Sequence, residues 1–138
     1  MASKHPIEVA AAVIEKDGKF LIAQRYANSH LGGLWEFPGG KRESQESFED
    51  CLKRELFEEL AIEIEVDKFW KTVLYSYPEK TVELHFYFCS LKNGNPKPDG
   101  CQDYRWVQPS ELGHFNFPPA DLEIIQELSS NKSWQRRS

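Results

Sequence analysis

The sequence predicts an α+β domain, a sheet sandwich with helices packed on it, and three observations carry that expectation. Val82, Leu84, Phe86 and Phe88 alternate with Glu83, His85, Tyr87 and Cys89, the period-two pattern of a half-buried strand. A single helical run, about Ser47 to Leu60, sits mid-chain between extended stretches. Pro118-Pro119 then opens a last helix through about Leu128, with Leu122, Ile125 and Leu128 on its inner face. Strands interrupted by one central helix and closed by another fit an α+β or mixed-sheet sandwich.

Taken in order, residues 1–6 are polar and read as a loose lead-in. Ile7 to Ile14 is a strand rich in small and β-branched residues, and Lys19 to Arg25 is its neighbour. Asp17-Gly18 between them is a hairpin turn signal. Tyr26 to Gly33 reads as a loop, and Leu34 to Phe37 as a short extended piece ending at Pro38-Gly39-Gly40. Ser44 or Ser47 can cap the central helix. Ile62 to Tyr77 is extended but poorly patterned, and Thr81 to Leu91 is the alternating strand. Asn93 to Gln102 holds two glycines and two prolines and reads as a loop; Tyr104 to Val107 is a last short strand. From Ser129 the tail is polar and expected to be disordered.

With 138 residues the chain is one domain, with a core at about 7–128 and a tail at 129–138, large enough to fold without covalent staples. Lys and Arg total 17 against 22 Asp and Glu, a formal charge of −5. Apart from the Arg136-Arg137 tail no basic stripe exists, which argues against a nucleic-acid polymer as partner. Cys51, Cys89 and Cys101 are widely spaced with no CxxC pair, as expected of free thiols in a reducing compartment. No signal-peptide core is visible and the most apolar run, Val9 to Ile14, is too short to span a bilayer. The expectation is a cytoplasmic protein with no membrane partner, a monomer or weak homodimer.

The most informative stretch is GGKRESQESFEDCLKRELFEELAI, Gly39 to Ile62. Glu55, Glu58 and Glu59 lie at i, i+3 and i+4, on one side of a helix. At about 100° per residue, Phe48, Cys51 and Leu52 point the same way as Glu55 and Glu59. One stripe therefore starts apolar and ends acidic. Like charges this close repel, and acids near a helix C-terminus also oppose the macrodipole. A divalent cation relieves both costs, and carboxylates without nearby Cys or His favour a hard ion such as Mg²⁺. The alternative is a solvated acidic face. His5, His30, His85 and His114 form no HxH or HExxH pattern, which argues against zinc.

Read from Gly40, the chain runs Gly, five residues, Glu46, seven residues, Arg54-Glu55-Leu56, one residue, Glu58-Glu59, one residue, Ala61-Ile62. This resembles the Nudix box, G-x5-E-x7-R-E-U-x-E-E-x-G-U, with Ala61 standing where the family has a glycine of positive φ. Gln24-Arg25, Leu34 to Lys41 (LWEFPGGK) and Phe117-Pro118-Pro119-Ala120 extend the similarity to the MutT type, over about residues 7–128. The resemblance implies a mixed β-sheet sandwiched between α-helices. It also implies a Mg²⁺-dependent hydrolase, with Mn²⁺ able to substitute, that splits nucleoside triphosphates into monophosphate and pyrophosphate. Nucleotide-pool sanitation, with 8-oxo-dGTP as substrate, is the activity of that subgroup.

By the same resemblance, Glu55, Glu58, Glu59 and the Gly39 carbonyl are metal ligands, Glu55 is the candidate base, and Arg54 holds a box carboxylate through its guanidinium fork. Glu46 opens the helix and supports it. Arg25, Lys41 and Lys80 are candidates for phosphate contacts, and His30, Glu36, Phe37, Pro38, Gly39 and Tyr77 for substrate contacts, Tyr77 or Phe37 by stacking on a base. Gly100 falls where the subgroup carries a loop carboxylate, so Asp99 or Asp103 would have to substitute. Asp121 follows Phe-Pro-Pro-Ala, where a purine-reading residue, often asparagine, is expected. An ionised aspartate only accepts hydrogen bonds, so it suits N7–H of an oxidised purine, or an amino group as on cytosine. The runner-up substrate is therefore CTP, dCTP or a modified cytosine nucleotide, and the plainer role is a helix N-cap. Two non-enzymatic alternatives are a Nudix-type nucleotide-binding module and the lesion-recognising domain of a DNA glycosylase. The intact carboxylate cluster favours the enzyme.

Overall fold

The computed structural model describes residues 5–130; the expectations for the lead-in's first residues and for the tail beyond Ser130 fall outside them. Seven strands form one sheet. β1 (Ile7–Lys16) and β2 (Lys19–Gln24) are joined by Asp17-Gly18, whose φ values of 53° and 80° are the left-handed turn geometry that Asp and Gly tolerate. β3 (Trp35–Glu36) pairs with β2, and β4 (Gly39–Lys41) with β1. β5 (Glu63–Tyr77), β6 (Lys80–Asn93) and β7 (Asp103–Val107) complete it. The spatial order is β3-β2-β1-β6-β5, with β4 on β1 and β7 on β2. β1 and β6 run parallel, with Val9 opposite Leu84 and Val13 opposite Phe88, and the other pairs are antiparallel. The sheet is mixed, as expected.

α1 (Phe48–Leu60) and α2 (Leu122–Ser130) cover opposite faces. Alternation along β1 feeds both: Ala10, Ala12 and Ile14 meet Cys51, Leu52, Leu56 and Leu60 of α1, while Ala11 and Val13 join Phe86, Ile124, Ile125 and Leu128 on the α2 side. Alanines on β1 let α1 approach closely. Each fully buried leucine there contributes on the order of 2 kcal/mol. A short 3-10 turn at Pro109–His114, which the sequence does not announce, closes the α2 side with buried Leu112.

Two expectations about faces are corrected. β6 is not half-buried: Phe86, Tyr87, Phe88 and Cys89 are all buried, because helices cover both faces of this inner strand. On α2, Leu122 is 57% exposed and Ile124 fully buried instead. The helix starts after a 3-10 turn at Pro119–Asp121, which shifts the phase of its inner face.

Candidate active site

α1 is placed by its ends. Ser47 (φ −73°, ψ 161°) is the N-cap, its hydroxyl accepting the Asp50 N–H, and the bond is 3.0 Å. At the other end Ala61 adopts φ 58°, ψ 36° and its N–H reaches the Phe57 carbonyl. The left-handed turn is thus made without glycine, at a cost of about 1–2 kcal/mol. The 93–102 loop caps the same end: Gly100 N–H donates to the Glu59 carbonyl at 2.9 Å, and Lys97 N–H to that of Leu60 at 2.9 Å. At Gly100 a Cβ would stand 3.1 Å from both the Glu58 carbonyl oxygen and Glu59 Cα. Packing thus sets the residue where a loop carboxylate was sought. Asp103 accepts the Tyr104 N–H at 2.8 Å, and neither Asp99 nor Asp103 lines the cleft described below.

Arg54 organises the acidic cluster. Its guanidinium clasps Glu46 through Nε (2.7 Å) and Nη2 (3.0 Å) and reaches Glu55 at 3.0 Å and Glu58 at 3.3 Å through Nη1. This is the bidentate pairing expected of it. The Arg54 bonds and the Glu43 N–H hold the Glu46 carboxyl down at about 2. Glu46 lies before the N-cap rather than opening the helix, so its support is exerted from the preceding loop. Arg42 pins that loop, donating to the Glu46 carbonyl at 2.6 Å and to the Glu8 carboxylate.

The three box glutamates differ in surroundings. Glu58 is 58% exposed at its side chain. Glu55 lies on Gly40, where a Cβ would come 2.3 Å from the carboxyl carbon; this glycine makes room for a carboxylate. Burial raises the Glu55 acid above its usual range against the pull of Arg54. Glu59 turns inward: Oε1 is buried without a hydrogen-bond partner, and burial, then Glu36, then Glu55 push its acid well up. Among the described residues no three His, Cys, Asp or Glu side chains are gathered closely enough to hold an ion as they stand, since Arg54 draws Glu55 and Glu58 to itself. The donor chemistry nonetheless fits a hard cation. It is all oxygen, held beside the Gly39–Lys41 strand, and includes one buried carboxylate oxygen lacking a partner. Gly39 itself is required by close approach, because a Cβ would stand 1.9 Å from the Ala10 carbonyl oxygen.

A cleft of about 360 Å³ runs from Glu55, Gly39, Gly40 and Lys41 past Arg25, His30, Glu36 and Phe37 to Tyr77, Lys80, Pro118, Ala120 and Asp121. The structure therefore gathers most of the expected substrate residues along one wall system. Glu58 and Glu59 stand behind Glu55 rather than in the lining, and Pro38 contributes its carbonyl to the Ala12 N–H instead. Arg25 is committed elsewhere than to open space. It donates to Glu36 at 2.9 Å and to the His30 carbonyl at 2.7 Å, fixing the 26–33 loop and offsetting the Glu36 charge, whose acid burial still raises. Phe37 packs on Phe86 and Phe117 with 3% exposure, so it is a core aromatic at the cleft wall.

Asp121 is the buried charged residue of the described core, at 5% exposure. Burial first, then the neighbouring Glu36, raise its acid from 3.8 to about 8. Asp121 lies directly before Leu122, where α2 begins, and the influences on its carboxyl are burial and neighbouring charges rather than a backbone N–H. A carboxyl facing a cleft with its proton retained near neutrality offers one donor and one acceptor. Burial of this kind has no signature in the residues around Asp121.

The NUDIX domain family model matches residues 9–127. A CTP pyrophosphohydrolase of Escherichia coli is 39% identical over 120 residues, 87% of this chain and 89% of its own. An 8-oxo-dGTP diphosphatase of Haemophilus influenzae is 33% identical over 126 residues, 91% of this chain and 93% of its own. The crystal structure of a MutT protein from Methanosarcina mazei superposes with a TM-score of 0.84 at 24% identity, covering 96% of this chain and 99% of that one, which is a likeness of fold.

Proposed function

This chain belongs to the Nudix family and is a hydrolase of the MutT type, and from that premise we propose that it converts nucleoside triphosphates, oxidised purine nucleotides such as 8-oxo-dGTP foremost, to monophosphate and pyrophosphate. One observation carries the reading: a single cleft is lined both by the box carboxylate Glu55, beside Gly39, Gly40 and Lys41, and by the buried carboxyl of Asp121. A polyphosphate needs the first and a nucleobase edge the second. A neutral Asp121 would donate to O6 and accept from the N7–H that oxidation creates, the face an asparagine amide presents. The same pair of groups also matches cytosine N3 and its amino group. The likeness to a CTP pyrophosphohydrolase keeps cytosine nucleotides as the second reading.

Glu55, Glu58, Glu59 and the Gly39 carbonyl would hold a divalent cation, Mg²⁺ with Mn²⁺ able to substitute. When bound, such a cation offsets charge on the phosphate oxygens and lowers the pKa of water. Glu55, at the cleft wall, accepts the proton of the attacking water. Arg54 keeps that carboxylate and Glu46 in place. Lys41 and Lys80 face the polyphosphate, and Arg25 keeps Glu36 and the His30 loop in register. Water adds to an internal phosphorus and the bond to pyrophosphate breaks, so one triphosphate and one water yield monophosphate and pyrophosphate.

Separating the products formed from 8-oxo-dGTP, dGTP, dCTP and dTTP in Mg²⁺ tests this. Monophosphate and pyrophosphate in equal amounts are expected, with 8-oxo-dGTP turned over fastest. Stoichiometric orthophosphate in the absence of a pyrophosphatase would overturn the bond assignment, and a dCTP preference would install the second reading.

A further inference from the structure

We propose that Arg42 is a positioning residue for the proton transfer at Glu55, acting through Glu46 and Arg54; this rests on the role proposed above for Glu55. Arg42 opens the 42–47 loop that joins β4 to α1. Its backbone N–H donates to the Glu8 carbonyl at 2.9 Å, which ties the residue to β1. The guanidinium then joins that strand to the loop. Nε donates to the Glu8 carboxylate at 3.0 Å and Nη2 to the same oxygen, while Nη1 donates to the Glu46 carbonyl at 2.6 Å. The ring of Phe48, the first residue of α1, lies 5.1 Å from the guanidinium carbon. That ring stacks in turn on His85 of β6 at 3.9 Å, so the sheet backs the contact.

The loop has reason to be clamped. Gln45 takes φ 69°, a left-handed conformation that is strained for a residue with a Cβ. Glu46 closes the loop on itself, its N–H donating to the Glu43 carbonyl at 3.1 Å and its carboxylate accepting the Glu43 N–H at 2.9 Å. Glu46 is thus gripped twice, by Arg42 at its carbonyl and by Arg54 at its carboxylate. The carboxylate takes Nε and Nη2 of Arg54, and Nη1 reaches Glu55 and Glu58. A guanidinium is a rigid plane, so its donors move together. A shift of Glu46 therefore turns Arg54 and displaces the Glu55 carboxylate. Arg42 lies outside the cleft lining, so its removal spoils the placement of a reacting group and leaves substrate contacts in place.

The test compares Arg42→Gln, Glu46→Ala and the double variant. The kcat and KM for 8-oxo-dGTP are measured in saturating Mg²⁺, and solvent exchange of the Arg54 Nε–H is followed by NMR in the metal-free protein. Arg42→Gln should lower kcat about tenfold with KM within about twofold of wild type. The Arg54 Nε–H, whose acceptor is Glu46, should exchange about tenfold faster or more once the loop is released. In the Glu46→Ala background Arg42→Gln should add nothing to the loss of kcat, because the link is already cut. Arg42→Lys keeps the charge, but one nitrogen cannot serve both Glu8 and the Glu46 carbonyl, so kcat should fall about threefold; it decides the matter if Arg42→Gln does not fold. Wild-type kcat and exchange in these Arg42 variants, a rise in KM as large as the fall in kcat, or losses that multiply in the double variant would overturn the inference. So would a lower melting temperature with kcat unchanged, the mark of a purely structural bond. Glu55→Gln checks the base assignment separately. Wild-type turnover there would sink that reading, and this inference with it, whereas a loss there with Arg42→Gln fully active overturns this inference alone.

Discussion

On α1, Glu55 and Glu58 are both held by hydrogen bonds from Arg54, whereas Asp121, in the same cleft as Glu55, is buried at 5% exposure beside the acid Glu36. The same functional group is prepared for opposite work. Glu55 and Glu58, proposed to act as anions toward a cation, keep a cationic partner and some access to solvent. The aspartate proposed to read a base edge is buried near Glu36, and holds its proton to about 8. Glu59 stands between the extremes, its acid raised by burial and by Glu36 and Glu55, and in the proposed mechanism it regains its charge when a cation offsets those neighbours.

Removing a charge at the acidic end should have the largest effect. Glu59→Gln is expected to cut kcat/KM for 8-oxo-dGTP by about a hundredfold or more, the scale of losing one electrostatic stabiliser of developing charge. Melting without divalent cations should be unchanged or higher, because the substitution also removes a buried, repelled acid. Wild-type turnover by this variant in Mg²⁺ would break the comparison at its acidic end.

The aspartate end is probed by pH. The native carboxyl holds its proton up to about 8, whereas the unfolded chain releases it near 3.8. A raised acid therefore makes stability decline as pH rises between those values. Asp121→Asn should remove that part of the decline. In turnover, the ratio of 8-oxo-dGTP to dGTP should rise about tenfold in the wild type from pH 7 to pH 9, because the ionised carboxylate still accepts the N7–H of the oxidised purine but repels the bare N7 and O6 of dGTP, and stay level in Asp121→Asn. A wild-type ratio as flat as the variant's would show that the carboxyl is not read as a neutral acid.

The smallest effect lies outside both ends. Ala61→Gly relieves the left-handed strain at the α1 terminus, less the entropy glycine loses on folding, for a net gain of about 0.5–1 kcal/mol measured by denaturant unfolding. The pH dependence of base choice should not move, since Ala61 touches neither the turn nor Tyr77. A change there would mean that the two ends are mechanically coupled through α1.

How much of this was legible beforehand differs by residue. The hairpin at Asp17-Gly18, the Ser47 cap and the span of α1 follow from spacing and residue type, the Arg54 fork from residue type and resemblance, and all are present. These are local matters, set by backbone geometry over a few residues. β4 left no pattern because three residues, two of them glycine, carry no periodicity. Arg25 gave no sign that it would be held by Glu36 and the His30 carbonyl, and Leu122 looked as inward as Ile125.

The sequence by itself determined the family, the two helices, the strand order's raw material and the identity of the acidic cluster. Only the tertiary structure decided which carboxyl is buried, which arginine is committed, that both faces of β6 are covered, and that Tyr77 and Ala120 line one cleft. Burial and proton affinity depend on what distant elements bring to a side chain, and residues 77 and 120 line one cleft only once β5 and the 119–121 turn are packed together.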